Sequence, residues 1–397
     1  MTRKGVWNIQ GAREKDQQNL WAQFYTKWGI GPNDYGQLGT GNRSAGISPN
    51  HNKVIANSED WVRICQDRAD ADNESNFQLC IKNNGSLWSW GDNGHGQLGH
   101  NNRTQYSSPV QIPGTTWANA TSSCHAAIAV KTDGTMWSWG KNTHGQMGVN
   151  QPTNYKRSSP VQIPGTTWSS EPFHAAAGVH MFQWIKTDGT LWEWGANEYG
   201  QLGQNNRTNY SSPRQVGSDT TWDWMGGVQT GVLAGKTDGT MWGWGANEGG
   251  ILGLNNRTNY SSPKQIPGTT WSGAVCAGQS SLAVKTDGTL WTWGNNSSGK
   301  LGLSETDNRI TSSPEQLPGT TWTTQIGFSN NGQSCHAIKS DGTMWGWGDN
   351  DNYELGIYPI TVKVSSPTQV GTESQWHNLS SCYTVKLLRA GIAPSQL

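Results

Sequence analysis

Short apolar runs separated by turn residues recur along this chain, and they have strand length rather than helix length. HAAIAVK (125–131) is followed by Thr132-Asp133-Gly134 and then TMWSWG (135–140). Asp-Gly between two such runs predicts a hairpin, because both turn positions favour positive φ. In the return strand Trp137 and Trp139 are two apart and share one face, with Met136 and Ser138 on the other. The glycines from Lys141 to Gly148 suit a tight corner. SSPVQIPG (158–165) reads as an edge-like strand, since Pro160 has no ladder N–H to give. Residues 117–170 thus predict one unit of three or four short antiparallel strands.

The unit repeats. Trp-x-Trp-Gly occurs at Trp88/Trp90, Trp137/Trp139, Trp192/Trp194, Trp242/Trp244, Trp291/Trp293 and Trp345/Trp347. Between these pairs stand Trp61, Trp117, Trp168, Trp222, Trp271, Trp322 and Trp376, mostly as Thr-Thr-Trp, at successive spacings of 49–56 residues. A period near 50 in turn-rich units predicts a propeller. Seven positions of the second kind meet only six pairs of the first. FYTKWGIGPNDYGQLG (24–39), with Trp28-Gly29, is the candidate for the missing return strand.

The expectation is therefore an all-β, seven-bladed β-propeller closed by strands from both termini, which would remove two open sheet edges. An N-terminal arm would span 1–23 and the propeller 24–388, with the last blade shared between about 24–39 and 370–388, followed by a tail at 389–397. Trp28, Trp90, Trp139, Trp194, Trp244, Trp293, Trp347 and Trp376 are expected to be structural repeat positions.

Composition supports a packed domain despite few aliphatics, because 24 of the 397 residues are tryptophan. Burying one ring is worth roughly 4–6 kcal/mol as an upper estimate. The 28 basic and 28 acidic residues cancel, leaving no long-range field for nucleic acid or an anionic membrane. There is no secretory-type apolar run at the N-terminus and no 18-residue apolar stretch, so neither export nor membrane insertion is expected. Cys65, Cys80, Cys124, Cys276, Cys335 and Cys382 are scattered without a Cys-x-x-Cys and read as buried fillers.

GDNGHGQLG (91–99) and GANEYGQLG (195–203), with the preceding Thr-Asp-Gly-Thr and Trp-x-Trp-Gly, resemble the regulator of chromosome condensation repeat family over nearly all of 24–388. The resemblance implies a seven-bladed propeller with strands shared between the termini. The family's namesake is a nucleotide exchange factor for a small GTPase that also binds chromatin, but its wedge hairpin and basic tail have no match here. The Gly-Trp-Arg-His-Thr motif of the plant ultraviolet-B receptor is also absent. The near-identical linkers NNRTQYSSPVQIPGTTW (101–117), NNRTNYSSPRQVGSDTTW (205–222) and NNRTNYSSPKQIPGTTW (255–271) are similar in style to bacteriophage-encoded repeat proteins.

No catalytic constellation emerges: there is no Gly-x-Ser-x-Gly elbow and no paired zinc histidines. Cys124-His125 and Cys335-His336 are adjacent on strands and would point apart. Asp133, Asp188, Asp238, Asp287 and Asp341 read as turn residues. The loop DRADADNES (67–75) lacks the glycine of a calcium loop, so neither metal nor cofactor is expected.

Partner contacts are expected where the repeat breaks, at 1–23, 40–60 and 65–80, and on the loops. The residues are Arg3, Lys4, Trp7, Arg13, Asp67, Asp70 and Asp72, with the recurring Arg103/Tyr106, Arg207/Tyr210 and Arg257/Tyr260. For the last six, a structural reading competes in which Arg braces the next blade and Tyr packs under the loop. The expected function is a non-enzymatic scaffold, specifically a virion component (tail, baseplate, fibre or capsid decoration) contacting other virion proteins and a host-surface glycan or protein. The alternatives are a cytoplasmic partner-binding propeller such as a small-GTPase regulator, or a glycan-binding lectin.

Overall fold

The fold is that of a computed structural model, which describes residues 25–31, 33–37, 39–43, 48–53, 61–64, 76–151, 154–226, 230–305, 307–329, 332–351, 355–357, 363–374, 376–381 and 385–390. The arm residues Arg3, Lys4, Trp7 and Arg13 and the acidic-loop residues Asp67, Asp70 and Asp72 lie outside the described residues, as do Cys65 and Cys382.

Blade two shows how the sequence makes the unit. Trp117–Ser123, Ala126–Lys131, Met136–Lys141 and Lys156–Ile163 pair in order as an antiparallel sheet. The Asp-Gly turn closes as expected. Asp133 Oδ1 accepts from Thr135 N at 2.9 Å and from Thr135 Oγ1 at 2.7 Å, and the same pair of bonds recurs at Asp188, Asp238, Asp287 and Asp341. These bonds hold each of the five carboxyl groups below its ordinary range, the threonine hydroxyl contributing most.

The expected count of seven blades is corrected to six. Six blades are each built from four consecutive strands, spanning 61–111, 117–163, 175–215, 222–266, 271–316 and 322–369. The chain ends meet instead in a composite sheet, ordered Ser48–Lys53, Tyr25–Gly31, Val385–Ala390, Trp376–Ser381. Its strand after Trp376 has no Thr-Asp-Gly hairpin and no Trp-x-Trp-Gly return, so it cannot close a unit of its own. Register also corrects the role expected of Trp28. Trp28 stands opposite Leu387 and Ile30 opposite Val385, as Trp88 stands opposite Cys80 and Trp90 opposite Gln78. Ile30, not Trp28, therefore occupies the position of Trp90.

Successive blades pack face to face, so both faces of each sheet are buried. Leu79, Leu87 and Leu98 of blade one join Trp117, Ala127 and Trp139 of blade two in one cluster. Met136, on the face opposite Trp139, is equally buried. A repeated latch crosses the seams. The second tryptophan of each pair donates its indole N–H to a loop carbonyl of the preceding sheet: Trp90 to Gln37 at 3.1 Å, Trp139 to Gln97 at 2.8 Å and Trp194 to Gln146 at 2.9 Å. Trp244, Trp293 and Trp347 reach Gln201, Ile251 and Lys300 in the same way. At the remaining seam the corresponding residue is isoleucine, which carries no N–H side chain to donate.

A second device secures the other end of each blade. The lysine before the Asp-Gly turn lies between two tryptophan rings, as Lys186 does 4.7 Å from the Trp168 ring and 4.2 Å from Trp192. The arrangement recurs at Lys131, Lys236, Lys285 and Lys339, and at Lys82 before an Asn-Gly turn. Each such contact is worth about 0.5–2 kcal/mol. The tryptophan density is a structural device.

Candidate partner-binding site

Blade three departs from its neighbours on the innermost strand. From Trp117 to the turn at Cys124-His125 blade two runs straight, whereas blade three inserts SSEPFH between Trp168 and a shortened strand at Ala175–Gly178. Pro172 starts a single 3-10 turn, Pro172–His174, since proline cannot supply a ladder N–H.

The insert is pinned from two other blades. Arg63 of blade one donates from Nη1 to Ala118 O at 2.7 Å and to Ser170 O at 3.1 Å. Asn119 of blade two donates from Nδ2 to Glu171 O at 2.6 Å. Within blade three, Trp184 Nε1 donates to Ser169 O at 2.9 Å, and Ser169 Oγ lies 2.8 Å from His174 Nδ1. Burial lowers the His174 pKa, opposed by Asp223 and Glu171.

These bonds leave Phe173 held outward, 38 % exposed. Glu171 and Asp223 beside it are exposed, as is Val62. An aromatic side chain held on rigid backbone loses little entropy when a partner covers it, which is the physics of an interface anchor. Sequence reading did not find this insert. Its signal was the longer Trp-to-turn spacing in blade three together with Pro172 on an inner strand.

The Asn-Asn-Arg-Thr loops are braced from within. In blade one Asn93 Nδ2 donates to Asn102 O and Thr104 O, and Asn102 Nδ2 donates to Tyr106 Oη at 3.2 Å. Blades three and four repeat this with Asn206 and Tyr210 and with Asn256 and Tyr260. All three tyrosines also pack against the core. Arg103 and Arg207 are exposed, while Arg257, also exposed, donates to Glu248 O of its own blade. The structure thus places the tyrosines under the loops and the arginines on the surface, well separated around the molecule on blades one, three and four.

Cys80, Cys124, Cys276 and Cys335 are buried. Burial pushes the Cys335 thiol far above its ordinary range and brings the ammonium of Lys300 down to about 8. Lys300 is itself buried, donating to Gly278 O. Among the described residues no group of three or more His, Cys, Asp or Glu is arranged to hold a metal ion. No helix among them is long and apolar enough to cross a membrane.

This is a propeller whose blades are fixed by tryptophan latches and whose surface carries one pinned, outward aromatic insert. The chain belongs to the regulator of chromosome condensation (RCC1) repeat family, whose repeat matches residues 84–125, 133–181, 188–224, 238–284 and 287–332, more than half of the chain. The fold is shared by Prp20p from Saccharomyces cerevisiae, at 18 % identity and TM-score 0.78, covering 98 % of this chain and 96 % of that one. A second structure of that yeast protein, bound to Kap60, matches at 17 % identity and TM-score 0.77 over 100 % of this chain and 95 % of that one. Human WBSCR16 matches at 18 % and 0.77, over 94 % of this chain and 100 % of that one.

Proposed function

We propose that this chain is a non-enzymatic protein-interaction scaffold whose partner docks on the blade-three insert. The observation that carries the reading is Phe173, exposed at the tip of an insert held by Arg63 and Asn119 from two other blades. Glu171 and Asp223 favour a partner that presents an apolar pocket rimmed by basic groups. The comparison proteins support protein partners as the class, since the yeast relative is described bound to Kap60 and in its binding to Gsp1p and histones.

A small-GTPase regulator is the second reading, favoured by family membership. A virion role rests on the style of the Asn-rich linkers alone and has less support, and a host-surface glycan or protein as ligand of Arg103, Arg207 and Arg257 stands on the same footing. The test is capture of binding partners by the wild-type chain and by Phe173→Ala, with nucleotide release from small GTPases assayed in parallel. Loss of a captured protein on Phe173→Ala supports the scaffold reading; an unchanged set rejects the insert as its site. Accelerated nucleotide release would favour the second reading.

A further inference from the structure

The seam between blades one and two gathers more positive charge than the one acid beside it can balance. The Gly94–Gly99 corner of blade one leans on the outer strand of blade two: Asn101 N donates to Ser158 O at 2.6 Å, and a Cβ on Gly96 would lie 2.7 Å from Ser158 Cα. This carries His95 and Arg103 onto the start of that strand, where Lys156 and Arg157 are exposed. Lys156 stands directly opposite Lys141 in the ladder. Like charges directly opposite destabilise an antiparallel pair, with Cα atoms only about 4.5–5.5 Å apart. Lys141 N in turn donates to His125 O at 2.9 Å, and the His125 ring lies 4.3 Å from that of His95.

Four permanent cations and two imidazoles therefore converge. Among the described residues none of Arg103, Lys141, Lys156 and Arg157 has an ion-pair partner. The nearby carboxylate is Asp92, which accepts from the neutral amides Gln97 Nε2 at 2.8 Å, Gln105 Nε2 at 2.7 Å and Gly94 N and so sets one negative charge against four cations. The groups facing His95 are Lys156, Lys141 and Arg103 on one side of the balance and Asp92 on the other, with burial adding to the cations in lowering its pKa. On the far side of Lys141 stands His144, lowered by burial and facing Glu198.

We propose that this seam is a binding site for a compact phosphate dianion, held by Lys141, Lys156 and Arg103 with His95 as a proton-dependent fourth donor. The cluster is compact because the two lysines are cross-strand partners, so it matches a group with several oxygens on one centre rather than an extended polymer. The field also ends abruptly, since the corresponding loops of blades three and four carry exposed Glu198 and Glu248. A long polyanion would meet these acids, whereas a single phosphate does not. A bound dianion favours the protonated form of His95, opposing the burial and the cations that lower its pKa, while the phosphate itself takes up a proton near about pH 6, so the dianion should be held best near neutral pH. The site is independent of the blade-three insert, and its failure would leave the scaffold reading untouched.

The two sources of this chemistry are free phosphate and a phosphoserine side chain. The test titrates the intact chain with inorganic phosphate at constant ionic strength, following the His95 C2–H resonance, and separately measures anisotropy of a labelled phosphoserine peptide against its unphosphorylated form. Saturable shifts at pH 7 are expected for at least one probe. Lys141→Gln/Lys156→Gln should weaken binding tenfold or more with an unchanged or raised melting temperature. Lys156→Gln alone, at an exposed position, should weaken it measurably if the double variant does not fold. His95→Gln should weaken binding measurably at pH 7. Binding of the peptide but not of free phosphate identifies a phosphoprotein as the source. No saturable response to either probe, an equal response to chloride, or equal binding by the lysine variants overturns the proposal.

Discussion

Trp139 donates its indole N–H to the carbonyl of Gln97 at 2.8 Å, across the seam between blades one and two. The bond is wholly buried, as both residues are, so it satisfies a loop carbonyl that water cannot reach. Trp139→Phe keeps most of the ring volume and removes the donor. The expected cost is about 1–3 kcal/mol, the penalty of leaving a buried acceptor unpaired. Trp139→Ala, which also opens a cavity, should cost about 3–5 kcal/mol. Urea unfolding of the two variants checks both the order and the sizes.

Gly148 tests the same latch from its other side. Its φ is +70°, and a Cβ there would fall 2.7 Å from Trp194 Nε1. Gly217 has a similar φ of +60° but nothing within 4 Å. Gly217→Ala should therefore cost about 1–2 kcal/mol, for the left-handed backbone alone, and Gly148→Ala clearly more. Equal unfolding midpoints for the two variants would show that the latch is not tightly packed.

Glu193 gives the molecule a pH-dependent seam. It is wholly buried, Trp244 Nε1 donates to its Oε2 at 3.2 Å, and burial raises its carboxyl well above the ordinary range, opposed by that bond. In the unfolded chain it ionises near about pH 4.3. The raised folded value means the unfolded state releases the proton first. Stability is therefore full below about pH 4.3 and declines as pH rises toward the folded value. Glu193→Gln should flatten this decline, so its stability relative to wild type should be greater at pH 8 than at pH 4.5 in denaturant titrations.

Asp219 has the opposite sign. Lys236 is the first cause and Thr221 the second of its depression to about 2, with Lys236 Nζ 2.5 Å from Oδ2. Its contribution is present above the unfolded value near about 3.9 and is lost as pH falls from there through about 2. Asp219→Asn should remove that acid-side loss, an effect kept small by the exposure of the pair. Blades two, three, five and six, which read Pro-Gly-Thr-Thr-Trp before their inner strands, have no counterpart.

Much of the fold was legible because it repeats. The Asp-Gly hairpins and paired tryptophans could be read from residues alone, since turn chemistry and spacing are local. Trp28 was misplaced because the chain was aligned on Trp-Gly. Aligning instead on the glycine corner, with Gly31-Pro32-Asn33-Asp34-Tyr35-Gly36 against Gly91-Asp92-Asn93-Gly94-His95-Gly96, puts Ile30 beneath Trp90. Glu193 was illegible for a physical reason. Stacked blades bury both faces of a sheet, so alternation no longer marks a polar residue as solvent-facing. The insert at Phe173 was hidden by its shortness, and the cation cluster because Lys141 and Lys156 are joined only by ladder register.

The direct test of the functional account compares proteins captured by the wild-type chain with those captured by Phe173→Ala and Glu171→Lys. The exposed positions should leave the melting temperature unchanged. The account predicts that at least one protein retained by wild type is lost, or weakened tenfold or more, in both variants. An identical set of proteins at equal affinities would contradict it.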